Sequence, residues 1–176
     1  MNSLDDIVRW YGYNSYVRKK YLKTLSELTI SKLSKRTESS FPTVLQIFLH
    51  ILDAYRWWFI FVMEDRLRAY TKVRTRVKSI SEANRLECEI DSLVMKFVWS
   101  LKPADLEREI SWHEGKKLRR IKLDALLHHM IEEELQHRGE INAVLWQMNV
   151  DPPITGWDNW VNEIGIRSRR LISQSN

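Results

Sequence analysis

The feature that most constrains the fold is the run from Leu126 to Met148, LLHHMIEEELQHRGEINAVLWQM, which has no proline and holds three of the five histidines. At about 100° per residue, Leu126, Met130, Ile141, Val144 and Met148 share one helical stripe, with His137 at its centre. The run therefore reads as a core helix whose buried face carries an imidazole. Such faces normally bury aliphatic groups, because an unpaired buried polar group costs on the order of 1–3 kcal/mol. Something must compensate His137. Glu133 lies one turn earlier, and i, i+4 spacing lets both side chains reach one point beside the helix. Two explanations compete on this helix alone: a core histidine bonded to a backbone carbonyl with Glu133 in solvent, or half of a metal site. Periodicity does not choose the inward acid, since Glu133 and Glu134 sit on opposite edges of the stripe, about 60° and 40° from its middle.

A second candidate ligand comes from TVLQIFLHILDAYRWWFIFVMEDR, a helix expected to begin at Ser40 to Pro42 and apolar on nearly every side, as a central helix should be. His50 stands there among Ile47, Leu49, Ile51 and Ala54. Convergence of His50, His137 and a carboxylate on one metal explains both inward imidazoles more economically than two separate hydrogen bonds. His129, one turn before Glu133, points away from the His137 stripe and is the alternative third ligand.

The remaining chain supplies more helices. Ser3 and Asp6 resemble a capping box, and Ile7, Trp10, Tyr11, Val17, Tyr21, Leu25 and Leu28 recur at helical spacing from Leu4 to about Leu28. A polar connector covers Thr29 to Ser40. Ser79 and Glu82 suggest another capping box, and Ala83 to Leu101 a third long helix ending before Pro103. Between Leu106 and Ile121, the alternation of Ile110 and Trp112 and a Glu114-Gly115 turn predict a short hairpin or irregular arm, with His113 exposed beside the turn. The fourth helix, from Leu123 to about Met148, must stop before Asp151-Pro152-Pro153. A short helix around Asp158 to Leu171 is expected to pack through Trp157, Trp160 and Ile164, followed by a disordered tail over 172–176.

The 176 residues are read as one domain, able to bury roughly 70% of its unfolded surface with no help from disulfide or metal. The single cysteine, Cys88, excludes an internal disulfide and cysteine-based zinc motifs, so any metal must use histidine and carboxylate ligands. The N-terminus lacks the basic start and apolar run of a signal peptide, and a cytoplasmic location is expected. Val44 to Met63 has a membrane-spanning length but carries His50, Asp53 and Arg56 near its middle, so it reads as a buried helix, with no membrane role. Net charge is +5, with basic runs at Arg66 to Lys78 and Lys116 to Lys122, both read as solvated surface.

Three segments, YNSYVRKKYLKTLSEL, LHILDAYRWWF and HMIEEELQHRGEINAVLWQMNVDPP, resemble the DinB-like (DinB/YfiT-like) family of metal-dependent proteins over most of residues 10 to 153. The resemblance implies an all-α, DinB-like four-helix bundle with a long crossover. It places the family's second-helix ligand on His50 and the histidine of its HxxxHRGQ motif on His137. The motif's first histidine falls on Glu133 and its glutamine on Glu140. A three-histidine site thus becomes two histidines and one carboxylate, an accepted set for catalytic zinc and, in facial form, for non-haem iron.

The implied cofactor is a divalent transition metal, zinc first, with nickel, iron or manganese as the other candidates. Resemblance further implies a metal-dependent enzyme, of the thiol S-transferase or hydrolase kind, acting on a small-molecule electrophile with a low-molecular-weight thiol as partner, and a homodimer. Tyr55, Trp57 and Trp58, one to two turns after His50, are the expected pocket walls. The alternative is a metal-free binding or dimerisation module touching nucleic acid through its basic segments, although nucleic acid is not the expected partner.

Overall fold

A computed structural model describes residues 4–64, 66–70, 72, 77 and 79–164. Ser3, positions 71, 73–76 and 78 of the Arg66 to Lys78 run, the end of the expected last helix beyond 164 and the expected tail lie outside the described residues. Those described are mainly helical. Helix α1 spans Leu4–Ser26, a single turn α2 spans Ile30–Leu33, α3 spans Val44–Arg56, α4 spans Ile80–Ser100 and α5 spans Leu123–Gln147. Strands β1 (Glu109–Glu114) and β2 (Lys117–Lys122) form one antiparallel hairpin before α5, and residues 157–164 form α6.

Periodicity explains which faces meet. On α3, Val44, Ile47, Phe48, Ile51, Leu52 and Tyr55 are buried, the i, i+3, i+4 repeat of one stripe. On α5 the stripe runs from Leu123 through Leu126, Leu127, Met130, Ile131, Glu134, His137, Arg138, Ile141 and Val144 to Leu145. Helix α1 packs against α4 and α5, and α3 packs against the same two. Leu52 is sealed completely, and replacing such a side chain with alanine typically costs about 2–5 kcal/mol.

Helix ends follow local chemistry, with several shifts from the sequence expectation. Ser79 caps α4 as expected, its side chain accepting from the Glu82 amide. Helix α3 begins later than Ser40 to Pro42, because Thr43 is its N-cap, accepting from the Gln46 amide. Helix α1 stops at Ser26, before Leu28, and the connector contains α2, capped by Thr29. Before the prolines can act, α5 ends at Gln147 with Met148 as its C-cap, and Asn149 follows with φ of 52°, the left-handed conformation that asparagine tolerates just past a helix end. The hairpin turns through Gly115 and Lys116, one residue later than Glu114-Gly115, with φ of 62° at Gly115.

The second predicted helix is not α-helical to its end. After Arg56 it widens into a π-helix over Trp57–Val62, a form often found at functional sites. Trp58 there meets Trp112 of β1 edge-on at 4.9 Å, which ties the hairpin to this segment. Residues 155–163 close over α1: the Tyr13 hydroxyl donates to the Thr155 carbonyl, Trp157 meets the Tyr13 ring at a tilt and Trp160 meets it edge-on. Ile164 takes no such part and is exposed.

Candidate metal centre

His50 comes from the middle of α3, and Glu133 and His137 from successive turns of α5. Packing of α3 on α5 brings the three together. Both imidazole Nε2 atoms face one oxygen, Glu133 Oε1, at 2.8 Å from His50 and 3.2 Å from His137. One ligand atom from each of the three residues lies within 4.8 Å of the other two. The side chains are graded in depth, 25% exposed at His50, 21% at Glu133 and 8% at His137. His50 is thus less enclosed than its apolar sequence neighbours suggest.

Position 140 completes the acidic edge of α5. Glu140 Oε2 lies 2.7 Å from His137 Nδ1, and Glu140 Oε1 accepts from the Ser40 hydroxyl and, at 3.4 Å, from the Ser40 amide. Burial pushes the Glu140 carboxyl up, but hydrogen bonds from Ser40 and His137 outweigh it and hold the group below the usual carboxylate range. Phe41 covers the pair of rings, stacked on His50 at 4.5 Å and edge-on to His137 at 5.7 Å.

The donor chemistry fits a metal. Both ring nitrogens of His137 face carboxylates, which suits a ring whose Nδ1–H donates to Glu140 while its Nε2 lone pair is directed at a cation beside Glu133. Among the described residues, the only ion-pair partners of Glu133 are His50 and His137, so no lysine or arginine occupies that role.

A cleft of about 230 Å³ opens beside this group, with His50 and Glu133 at its floor. Ala54, Trp57, Trp58 and Tyr70 form apolar walls, and Asp53, Lys72 and His129 add polar groups. Trp57 and Trp58 take the wall positions expected of them. Tyr55 does not: it is fully buried on another side of α3 and donates to Glu134 Oε2 at 2.7 Å. His129 stands outside the three-residue group and lines the same cleft as His50 and Glu133. His113 is exposed on β1, as expected.

Glu134 faces the opposite way, into the core. Arg18 Nη1 reaches Glu134 Oε2 at 2.8 Å, Arg18 Nη2 reaches Asp91 at 2.9 Å, and Arg18 Nε lies 3.4 Å from Glu87. Burial pushes the Arg18 guanidinium down, but the charge of Glu134, Tyr55 and the other acids drives it well above its ordinary value. Burial also pushes the Tyr55 hydroxyl up, and the Glu134 charge adds to this. Sequence reasoning missed this cluster, although Arg18 sits on the Tyr11, Leu22 stripe and Glu87 on the Ala83, Ile90 stripe. Opposite charges on two inward faces were the available signal. Arg138, next to His137, is also buried, with its guanidinium 5.1 Å from the Tyr13 ring centre.

Helices that bring two histidines and a glutamate to one point beside an aromatic cleft define a helical protein with a candidate metal-binding group. The sequence model of the DinB family matches residues 1–165, and the chain belongs to that family. Among curated proteins it is similar to the uncharacterized protein YizA of Bacillus subtilis strain 168, 24% identical over 148 residues, which are 83% of this chain and 90% of YizA. Among crystal structures it is similar to a DinB-like protein of Bacillus cereus ATCC 10987, with a TM-score of 0.65 and 16% identity, covering 86% of this chain and 97% of that one. A DinB-like protein of Bacillus subtilis, YjoA, gives a TM-score of 0.64 at 16% identity, covering 85% and 97%. At these identities the structural likeness bears on the fold. No helix among the described residues is long and apolar enough to cross a membrane.

Proposed function

We propose that the chain is a metal-dependent enzyme in which His50, Glu133 and His137 hold one divalent transition metal, zinc first among the candidates, at the floor of the aromatic cleft. The observation that carries this reading is the convergence of both Nε2 atoms on Glu133 Oε1, at a partly exposed cleft floor rather than in the sealed core. The pairwise packing of α1, α3, α4 and α5 supports a single DinB-like four-helix bundle with a long crossover as its frame. When bound, such a metal supplies a positive charge that acidifies a thiol or water placed beside it.

The chain's own residues do the rest. Trp57, Trp58 and Tyr70 exclude water from one side of the cleft and offer apolar surface to a small electrophile. Phe41 shields the rings of His50 and His137. His129 and Lys72 place polar groups on the wall facing an entering ligand. The reaction this arrangement suits is transfer of a low-molecular-weight thiol: the thiol loses its proton to solvent, sulfur forms a bond to an electrophilic carbon, and the leaving group departs with its bonding pair.

The test is disappearance of free thiol when zinc-loaded protein meets a small thiol and an alkylating electrophile. Turnover above the uncatalysed rate, abolished by His137→Ala, is expected. No acceleration with stoichiometric zinc bound would overturn the transferase reading while leaving the metal site standing.

A further inference from the structure

The segment before α3 does more than connect. It is braced by its own hydrogen bonds: the Thr37 amide donates to the Pro42 carbonyl at 2.9 Å, and the Thr37 and Ser39 hydroxyls both donate to the Phe41 carbonyl, at 2.8 and 3.1 Å. Thr43 then fixes the start of α3. Ser40 and Phe41 are thereby presented together to α5. Phe41 stacks on His50 and meets His137 edge-on, and Ser40 takes one oxygen of Glu140.

The two oxygens of Glu140 are divided between separate donors. Oε1 receives the hydroxyl and amide of Ser40, and Oε2 faces His137 Nδ1. With Oε1 anchored from the backbone side, the carboxylate cannot rotate freely, so Oε2 stays on the far side of the His137 ring from Glu133. An acceptor held at Nδ1 places the ring proton there and leaves the lone pair on Nε2, the atom beside Glu133. A carboxylate does this better than a neutral amide, because both of its oxygens accept.

We propose that Ser40 and Glu140 are positioning residues that set the tautomer and orientation of His137 for metal binding. Segment 37–43 thus belongs to the metal centre although it supplies no ligand. This rests on the metal reading of His50, Glu133 and His137. It assigns a use to a residue at which the chain departs from the family motif, Glu140 in place of glutamine, and to a hydrogen bond between positions a hundred residues apart.

The experiment measures zinc affinity of the full, untagged chain by competition with a chromophoric chelator, beside circular dichroism, melting of the metal-free form and ring 15N shifts of His137. Loss of an acceptor paired to a ligating histidine typically weakens metal binding by about 10–100-fold. Glu140→Ala should therefore weaken zinc by that order while keeping the helical spectrum. Glu140→Gln, which keeps one acceptor for Nδ1–H, should recover most of the loss, and Ser40→Ala should give a smaller loss in the same direction. In zinc-bound wild type the 15N shifts should report a protonated Nδ1.

Unchanged zinc affinity in Glu140→Ala, with or without a lower melting temperature, would overturn the proposal by reducing Glu140 to a structural tie. If Glu140→Ala fails to fold, Ser40→Ala carries the test, and affinity and ring shifts identical to wild type would overturn it. Wild type that binds no zinc at all would instead overturn the underlying metal reading.

Discussion

Two acids adjacent in sequence, Glu133 and Glu134, leave α5 on opposite sides and meet opposite environments. Glu134 is fully sealed, and its charge is met by a guanidinium at 2.8 Å and a tyrosine hydroxyl at 2.7 Å. Glu133 is one-fifth exposed at the floor of a cleft and meets two imidazoles. In the first cluster Arg18 is a permanent cation, so the protein compensates its buried acids internally. In the second, two neutral imidazoles and a carboxylate would be three electron-pair donors converging with no fixed cation among them. Burial of charge is therefore a stability matter on one side of the helix and, on the proposed metal reading, a binding matter on the other.

If this contrast is right, breaking the sealed cluster should hurt folding most. Arg18→Met leaves Glu134 and Glu87 buried without their cation, and removing one partner of a buried pair costs about 3–5 kcal/mol. Urea denaturation should show this loss, or a chain that does not fold. A loss too small to separate from wild type would mean that the cluster is compensated in some other way.

The open cluster should respond to metal rather than to truncation. Free zinc at a hundred times its dissociation constant should stabilise the native chain by about 2.7 kcal/mol. At roughly 2–4 °C per kcal/mol for a chain of this size, a chelator should lower the melting temperature of the zinc-loaded protein by about 5–10 °C. His137→Ala should melt at one temperature with and without chelator.

The smallest expected effect is a pH slope inside the sealed cluster. Burial pushes the Glu87 carboxyl up, outweighing the charge of Arg18. A raised carboxyl holds its proton more tightly folded than unfolded, so its contribution to stability is present at low pH and is lost as pH rises from the ordinary carboxylate range through the folded value. Glu87→Gln should therefore gain stability relative to wild type as pH rises through that window. A constant difference across it would show that Glu87 is not protonated preferentially in the fold.

Much of this contrast could be read from the chain. The apolar stripe of α5, the inward histidine at 137, the α3 helix with His50 and the stop after Met148 follow from spacing and residue type, because the physics they use is local. Choosing between Glu133 and Glu134 was not possible from α5 alone, since each sits at an edge of the stripe and the choice depends on what other helices bring. Arg18 of α1 claims Glu134, and His50 of α3 claims Glu133. The π-helical widening at Trp57–Val62 and the reach of Ser40 to Glu140 were invisible for the same reason. Tyr55 was misassigned to the pocket because helical spacing gives the angle of a side chain, while the partner awaiting it, here Glu134, comes from another helix.

The central claim is that Glu133, and not its neighbour, belongs to a metal site with His50 and His137. The most direct measurement is metal per chain after dialysis against zinc, for wild type, Glu133→Gln, Glu134→Gln and His129→Ala, all without a histidine tag. The account predicts one zinc per chain in wild type, Glu134→Gln and His129→Ala, and none retained in Glu133→Gln. Stoichiometric zinc in Glu133→Gln with loss in Glu134→Gln or His129→Ala, or no zinc in wild type, would contradict it.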